Sequence, residues 1–272
     1  MKNQADQSSS GSDTLWVDLN CDVGESTGNQ IIGNDKVLIP LVTSVNIACG
    51  AHGGDRQHIA KAVEIAVEHG VTIGAHPSYP DRENFGRQAM DLSAERLAGS
   101  LREQLEFLAA IVSKHKTSVK YVKPHGALYH RCNVDSSVAQ VVVELVRAFD
   151  RSLAIMGQAG TEFEQICASM GVCFIREAFA DRRYLQCGSL MARSLPAAVI
   201  TDPSVAALQA ASIVLDGKVA IDSNHEVGVI GDSICVHGDN SNAAKILSAV
   251  RGKLSSLRVS IGSFKCMSSN AR

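Results

Sequence analysis

The chain has no apolar run approaching the roughly 18–20 residues that span a bilayer, so the sequence argues against a transmembrane protein. It has no Gly-x-x-x-x-Gly-Lys-Ser/Thr phosphate loop and no Gly-x-Gly-x-x-Gly, so the common nucleotide folds are not indicated. It also lacks Gly-x-Ser-x-Gly and His-Glu-x-x-His, which leaves a serine-nucleophile hydrolase and a helix-borne zinc protease without support. Among eight cysteines there is no Cys-x-x-Cys and no Cys/His pairing at structural-zinc spacing. Cys21, Cys49, Cys173 and Cys235 instead lie in or at the end of apolar runs, where a free thiol behaves as a small hydrophobe. That placement predicts a reduced, cytoplasmic protein without a disulfide framework. Excess charge is lacking as well. The net charge is −2 and the basic residues are scattered, with nothing to favour nucleic acid or an anionic membrane as partner. Met1 to Asp13 are polar and Ser/Gly-rich, lack a signal peptide's apolar centre, and read as a disordered tail.

What is present is an alternation. The chain has 272 residues, 45% of them hydrophobic, enough for one large core. A barrel of about 250 residues commonly forms one domain, and residues 14–258 read as such a domain followed by a tail over 259–272. Seven short apolar, β-branched runs recur: Leu15–Leu19, Val45–Cys49, Val71–Ala75, Val119–Val122, Leu153–Met156, Val172–Ile175 and Ile234–Val236. Helix-period segments lie between most of them. His58–His69 carries Ile59, Ala62, Val63, Ala66 and Val67 on one face and ends at Gly70. Ser93–Val112 starts with a capping serine, and Ser136–Phe149, Thr161–Met170, Pro203–Leu215 and Ala243–Leu254 repeat the theme. Strand and helix in alternation predict an α/β fold with a parallel sheet.

In parallel α/β folds the reactive site forms where the carboxyl ends of strands meet their loops. The first run leads through Asp18, Asn20 and Asp22, and the second carries Asn46 and leads to His52-Gly-Gly-Asp55. The third ends at His76 and is followed by Arg82 and Arg87; the fourth ends Lys123-Pro-His125, then Tyr129. The sixth leads to Glu177 and Arg182, the seventh to His237 and Asp239. Four of nine histidines thus fall at one end of four different strands, a concentration that points to acid/base chemistry with or without a metal.

Each piece also has a plainer explanation. Period-two alternation puts Asp18, Asn20 and Asp22 on one strand face, where desolvation must be met by hydrogen bonds, a cation or a raised pKa. A calcium loop is excluded, because Val23 stands where glycine is needed and Asn29 where glutamate is needed. Asp55 suits a helix N-cap. Lys123 faces as His125 does and needs a carboxylate or an anionic substrate group. Asp81-Arg82 and Asp181-Arg182-Arg183 suit surface ion pairs, or on lid loops Arg82, Arg87 and Arg182 suit a carboxylate clamp.

At these residues the sequence resembles a known family. The blocks Val17–Glu25, Val45–Asp55, Ile73–Arg87, Val122–Tyr129, Arg176–Tyr184 and Val236–Asp239 are similar, in order, to the LamB/YcsF lactam-utilisation family, whose bacterial members are the A components of 5-oxoprolinase. The resemblance implies a seven-stranded parallel β/α barrel like that of glycoside hydrolases and deacetylases. It further implies ATP-dependent opening of 5-oxoproline to L-glutamate, with ATP as co-substrate and with partner subunits. Asp18, Asp22, His52 and His76 are then expected to activate water or to position a divalent cation. Lys123 and His125 are expected to bind the substrate carboxylate or polarise the lactam oxygen, with Glu177 and His237 completing the catalytic set. Asn20, Asn46, Arg82, Arg87, Tyr129, Arg182 and Asp239 are the expected substrate-binding residues. A metal-dependent deacetylase or amidohydrolase, and a non-catalytic lactam-binding protein, are the alternatives.

Overall fold

The computed structural model describes residues 15–264; the expected N-terminal tail lies outside them. The elements run β1 (Trp16–Val23), α1 (Asp35–Leu38), β2 (Ser44–Ala48), α2 (Arg56–Glu68), β3 (Thr72–His76), α3 (Ala94–Val112), β4 (Tyr121–Val122), α4 (Gly126–Val134) and α5 (Ser136–Phe149). They continue β5 (Ala154–Gln158), α6 (Glu162–Ser169), β6 (Phe174–Phe179), α7 (Pro203–Asp216), β7 (Lys218–Ala220), β8 (Glu226–Gly228), β9 (Ser233–Cys235), α8 (Ala243–Ser256) and β10 (Ser260–Ile261). All seven runs read from the sequence are strands, and they close a parallel barrel in the order β1-β2-β3-β4-β5-β6-β9 and back to β1. Among the described residues no helix is long and apolar enough to cross a membrane.

Alternation along β1 decides what the barrel holds. Val17, Leu19, Cys21 and Val23 join the apolar layer shared with the helices, whereas Asp18, Asn20 and Asp22 bond across the interior. The opposite interior wall is apolar: Tyr121, Ala154, Met156 and Ile175 form their own cluster. Gly74 of β3 admits that wall, because a Cβ there would lie 2.2 Å from the Tyr121 ring. The helices follow local capping chemistry. Asp55 accepts the Gln57 and His58 amides at the start of α2, and Asp202 caps α7 with Pro203 in its first turn. Gly217 closes α7 in the left-handed region at φ 63°.

Four features depart from the sequence reading. Helix α4 begins directly after His125 at a glycine and has no side-chain cap, so the usual start signal is absent. β7 and β8 form an antiparallel hairpin outside the barrel. Ser260–Ile261, expected within a tail, adds a strand parallel to the start of β1. Cys21, Cys49 and Cys235 are buried free thiols as expected, but Cys173 is disulfide-bonded.

Candidate active site at the C-terminal mouth of the barrel

The inward face of β1 is built in layers. Asp18, at the bottom, accepts hydrogen bonds from Thr43 Oγ1 at 2.6 Å, Ser44 Oγ at 2.7 Å and the hydroxyl of Ser233. Burial pushes its carboxyl up to about 6 against the pull of those three hydroxyls. Above it, Asn20 donates to Ser233 Oγ at 2.8 Å and accepts from Asn46 Nδ2 at 2.8 Å, while Tyr121 donates to Asn46 Oδ1 at 2.7 Å. Asp22 forms the top layer and accepts from Asn46 Nδ2 at 2.7 Å.

Lys123, arriving from the end of β4, ties this stripe to β6. Its ammonium lies 2.9 Å from Asp22 Oδ1 and 2.8 Å from Glu177 Oε1, and it donates to Cys235 Sγ at 3.4 Å. Two of the ammonium's three N–H groups serve the hydrogen bonds to Asp22 and Cys235, and the approach to Glu177 is an ion pair, neither Glu177 oxygen accepting a hydrogen bond from a described residue. Burial raises the Asp22 carboxyl, but the Lys123 ammonium outweighs it and holds the group well below the usual range. Burial lowers Lys123, and its anionic neighbours, Asp22 first, outweigh that and raise it. Tyr129 packs its hydroxyl against Glu177, and burial followed by that carboxylate pushes the phenol up.

Three histidines converge beside Asp22. His76 Nε2 is 3.5 Å from Asp22 Oδ1 and 3.0 Å from His125 Nδ1. His52 stacks on His125 with ring centroids 3.7 Å apart and lies 3.4 Å from Glu25. The far side of His125 is held by the carbonyl of Phe85, 2.9 Å from Nε2. Phe85 and Gly86 are both left-handed, at φ 55° and 65°. A Cβ on Gly86 would approach His52 Cβ to 2.9 Å and His125 Cδ2 to 3.0 Å, so only glycine permits this turn against the rings.

Across the mouth, His237 Nδ1 is 2.8 Å from Asp181 Oδ1, and the other Asp181 oxygen accepts the His237 amide and the Asn240 side chain, each at 3.1 Å. Asp181 therefore keeps the proton on Nδ1 and leaves Nε2 as the basic nitrogen. Arg87 and Arg193 both reach Asp239, Arg193 at 2.9 Å.

These groups surround a cavity of about 400 Å³ lined by Asp22, Glu25, His76, Arg87, Lys123, His125, Tyr129, His130, Phe179, Arg182, Arg193, His237 and Asp239, among others. Nine of the residues anticipated from sequence are in that wall, and Glu177 touches it through Lys123. Asp18, Asn20 and Asn46 lie beneath it with no exposed surface. His52 sits behind His125 and is not itself in the wall. Arg82 is directed elsewhere: its guanidinium donates to the carbonyls of Gly50 at 2.6 Å and Gly54 at 2.7 Å and to Thr27 at 3.1 Å, bracing loops. Asp181 and Arg193 were missed. Asp181 read as a surface ion-pair residue, and its partner His237 lies 56 positions away.

Residues 17–269 match the LamB/YcsF family. The chain is 42% identical over 246 residues to the A component of 5-oxoprolinase from Symbiobacterium thermophilum, covering 90% of this chain and 94% of that one. It is 42% identical over 250 residues to the corresponding 5-oxoprolinase component of Thermus thermophilus, covering 92% of this chain and all of the relative. The crystal structure of the lactam utilization protein from Thermus thermophilus superposes with a TM-score of 0.86 at 40% identity, covering 92% of this chain and 100% of that chain. A structure from Enterococcus faecalis, at 12% identity and TM-score 0.55 over 92% of this chain and 97% of that chain, shares the fold alone.

Proposed function

The chain belongs to the LamB/YcsF family, and from that membership we propose that it is the lactam-handling A component of a multi-subunit 5-oxoprolinase. The reaction is the ATP-coupled hydrolysis of 5-oxoproline to L-glutamate, with partner subunits contributing to the ATP-dependent step. The observation that carries this reading is Arg182. Its side chain is buried in the cavity wall, its Nη2 donates to the Met191 carbonyl at 2.6 Å, and its Nε has no partner among the described residues. It forms no ion pair among those residues, because the adjacent Asp181 is committed to His237. A buried cation without a counter-ion costs several kcal/mol, and a small anionic substrate offsets that cost. Burial, and then Arg193, lowers the guanidinium to about 10.

A five-membered lactam bearing one carboxylate suits such a wall. Arg182 takes the carboxylate, and the amide faces the histidines and Asp22. His237 accepts a proton from water as its oxygen bonds to the lactam carbonyl carbon. It then returns that proton to the ring nitrogen as the C–N bond breaks, leaving an amine and a new carboxylate. Lys123, paired with both carboxyl groups, holds Asp22 ionised and keeps Glu177 in place. This role stands beside the direct substrate contact expected from sequence, since Lys123 also lines the cavity. The hydrolytic step consumes no ATP itself; the ATP-dependent step is a preceding activation of the stable lactam, to which the partner subunits contribute.

The test is glutamate formation and ATP hydrolysis by the purified chain, alone and reconstituted with candidate partner subunits, plus calorimetric titration with 5-oxoproline. Turnover is expected only with ATP, partners and substrate together, and Arg182→Gln is expected to weaken binding by about 10–100-fold, the loss of one charge-assisted pair. Binding without turnover in every reconstitution would make the chain a delivery protein. Unchanged binding in Arg182→Gln would remove the substrate assignment.

A further inference from the structure

The hydrogen bonds of the two central histidines do not balance. His76 Nδ1 is 2.7 Å from the Lys123 carbonyl and His125 Nε2 is 2.9 Å from the Phe85 carbonyl. A carbonyl oxygen only accepts, so each of these nitrogens carries a proton, which is the single proton of a neutral imidazole. The two remaining nitrogens, His76 Nε2 and His125 Nδ1, then face one another at 3.0 Å with lone pairs opposed. Something positive belongs between them. A third proton would join the two nitrogens and do nothing else. It would leave the Glu25 carboxyl, which is buried and accepts no hydrogen bond from any described residue, with only the 3.4 Å approach of His52 Nε2.

We propose that Glu25, His76 and His125 form a site for one divalent transition-metal ion, Zn²⁺ or a close relative. The ligand atoms of the three residues lie within 4.8 Å of one another, and Glu25 Oε1 is 3.8 Å from His125 Nδ1. Adjacent ligands on an ion with bonds of about 2.1 Å stand about 3.0–3.4 Å apart, which is the separation of the two facing nitrogens. Both rings donate their other N–H to a backbone carbonyl, the contact that fixes a metal-binding tautomer. His52, whose nitrogens are buried without a hydrogen-bond partner, lies 3.4 Å from Glu25 and is placed to orient it. Two imidazoles and a carboxylate suit Zn²⁺, Mn²⁺ or Fe²⁺ more than Ca²⁺. All three ligands line the cavity, leaving one side of the ion open to a water or a carbonyl oxygen.

A second group, Asp22, Cys235 and His237, also brings its ligand atoms within 4.8 Å. There the Lys123 ammonium is already 2.9 Å from Asp22 and 3.4 Å from Cys235 Sγ, and a further cation would meet that charge directly. The ion therefore belongs with Glu25.

The experiment uses the full chain without lactam, ATP or partners, so its outcome is separate from the test of the lactam reading. The chain is stripped with chelator, dialysed, and titrated with Zn²⁺ by calorimetry, with elemental analysis after gel filtration. One equivalent is expected, falling at least 100-fold in affinity in Glu25→Gln and in His125→Gln and unchanged in Cys235→Ala. Co²⁺ loading of the wild type gives an answer that needs no variant. Visible d–d bands without a near-ultraviolet thiolate band are expected, whereas a thiolate band places the ion at Cys235 and overturns the assignment. Failure to retain any Zn²⁺ or Co²⁺, or full retention in the Glu25 and His125 variants, also overturns it.

Discussion

Replacing Lys123 with methionine removes the ammonium between two buried carboxylates while roughly keeping the length of the side chain. Asp22 Oδ1 and Glu177 Oε1 lie 2.9 and 2.8 Å from it, and all three side chains are essentially excluded from solvent. Breaking a buried pair by deleting one member costs about 3–5 kcal/mol. For a domain of this size, that corresponds to a fall in Tm on the order of 10 °C. The pH dependence follows from the two directions of shift. Asp22 is depressed in the folded protein, so its contribution stands above the unfolded carboxylate pKa and is lost as pH falls through the folded value. Lys123 is raised, so its contribution is present below the unfolded lysine pKa and is lost only as pH rises through the folded value. Wild type therefore has both contributions in full near neutrality. In Lys123→Met the carboxyl of Asp22 loses its main stabiliser, burial takes over, and the folded variant binds protons more readily than its unfolded chain. The variant then gains stability on acidification, and its deficit against wild type narrows from pH 8 to pH 5. Urea unfolding of both proteins across that range reads the deficit, and Lys123→Met/Glu177→Gln is expected to recover about 1–2 kcal/mol of it. A deficit below about 1 kcal/mol, one that does not vary with pH, or no recovery in the double variant would refute the reasoning.

Asp181→Asn keeps one oxygen for the His237 amide and Asn240 and turns an NH2 donor toward His237 Nδ1, which drives the ring proton to Nε2. It should lower kcat about 10²–10⁴-fold with little change in KM, measured in the reconstituted lactam assay; a kcat within twofold of wild type contradicts the assigned tautomer. Asp18 is buried and raised from 3.8 to about 6, so between those values the folded state holds a proton that the unfolded state releases. Its stability contribution is greatest below pH 4 and is lost as pH rises through 6, a span worth up to about 3 kcal/mol. Asp18→Asn should flatten that slope in urea unfolding from pH 4 to 7, and an unaltered slope counts against it.

Much of the barrel was legible because its signals are local. A β-branched run, a capping Asp55 or Ser93 and a terminating glycine each act within a few residues, and all seven barrel strands and six of the helices follow from them. Helix α4 escaped because Gly126 opens it at φ 56°, where a Cβ would lie 2.5 Å from the Gly86 carbonyl. Its start is set by a contact 40 residues away, not by a cap. Strand-end logic likewise placed His76, Lys123, His125 and His237 at one mouth, since parallel strands deliver their C-terminal residues to the same end.

Depth and pairing were another matter. Asp18, Asn20 and Asp22 read as one inward acidic stripe, and on sequence alone all three have equal claim to the chemistry. The barrel separates them by height. Asp18 is enclosed by three hydroxyls, Asn20 by Ser233 and Asn46, and only Asp22 reaches the cavity. Sequence spacing likewise could not tell Arg82, which braces loops, from Arg182, which faces the cavity without a counter-ion. Alternation and residue type by themselves determined which strand face is polar and which end of the barrel reacts, because both depend on neighbours along the chain. Which carboxylate meets which cation, and which imidazole nitrogen is left bare, was decided only by tertiary structure, because those partners come from strands brought together by closure of the barrel.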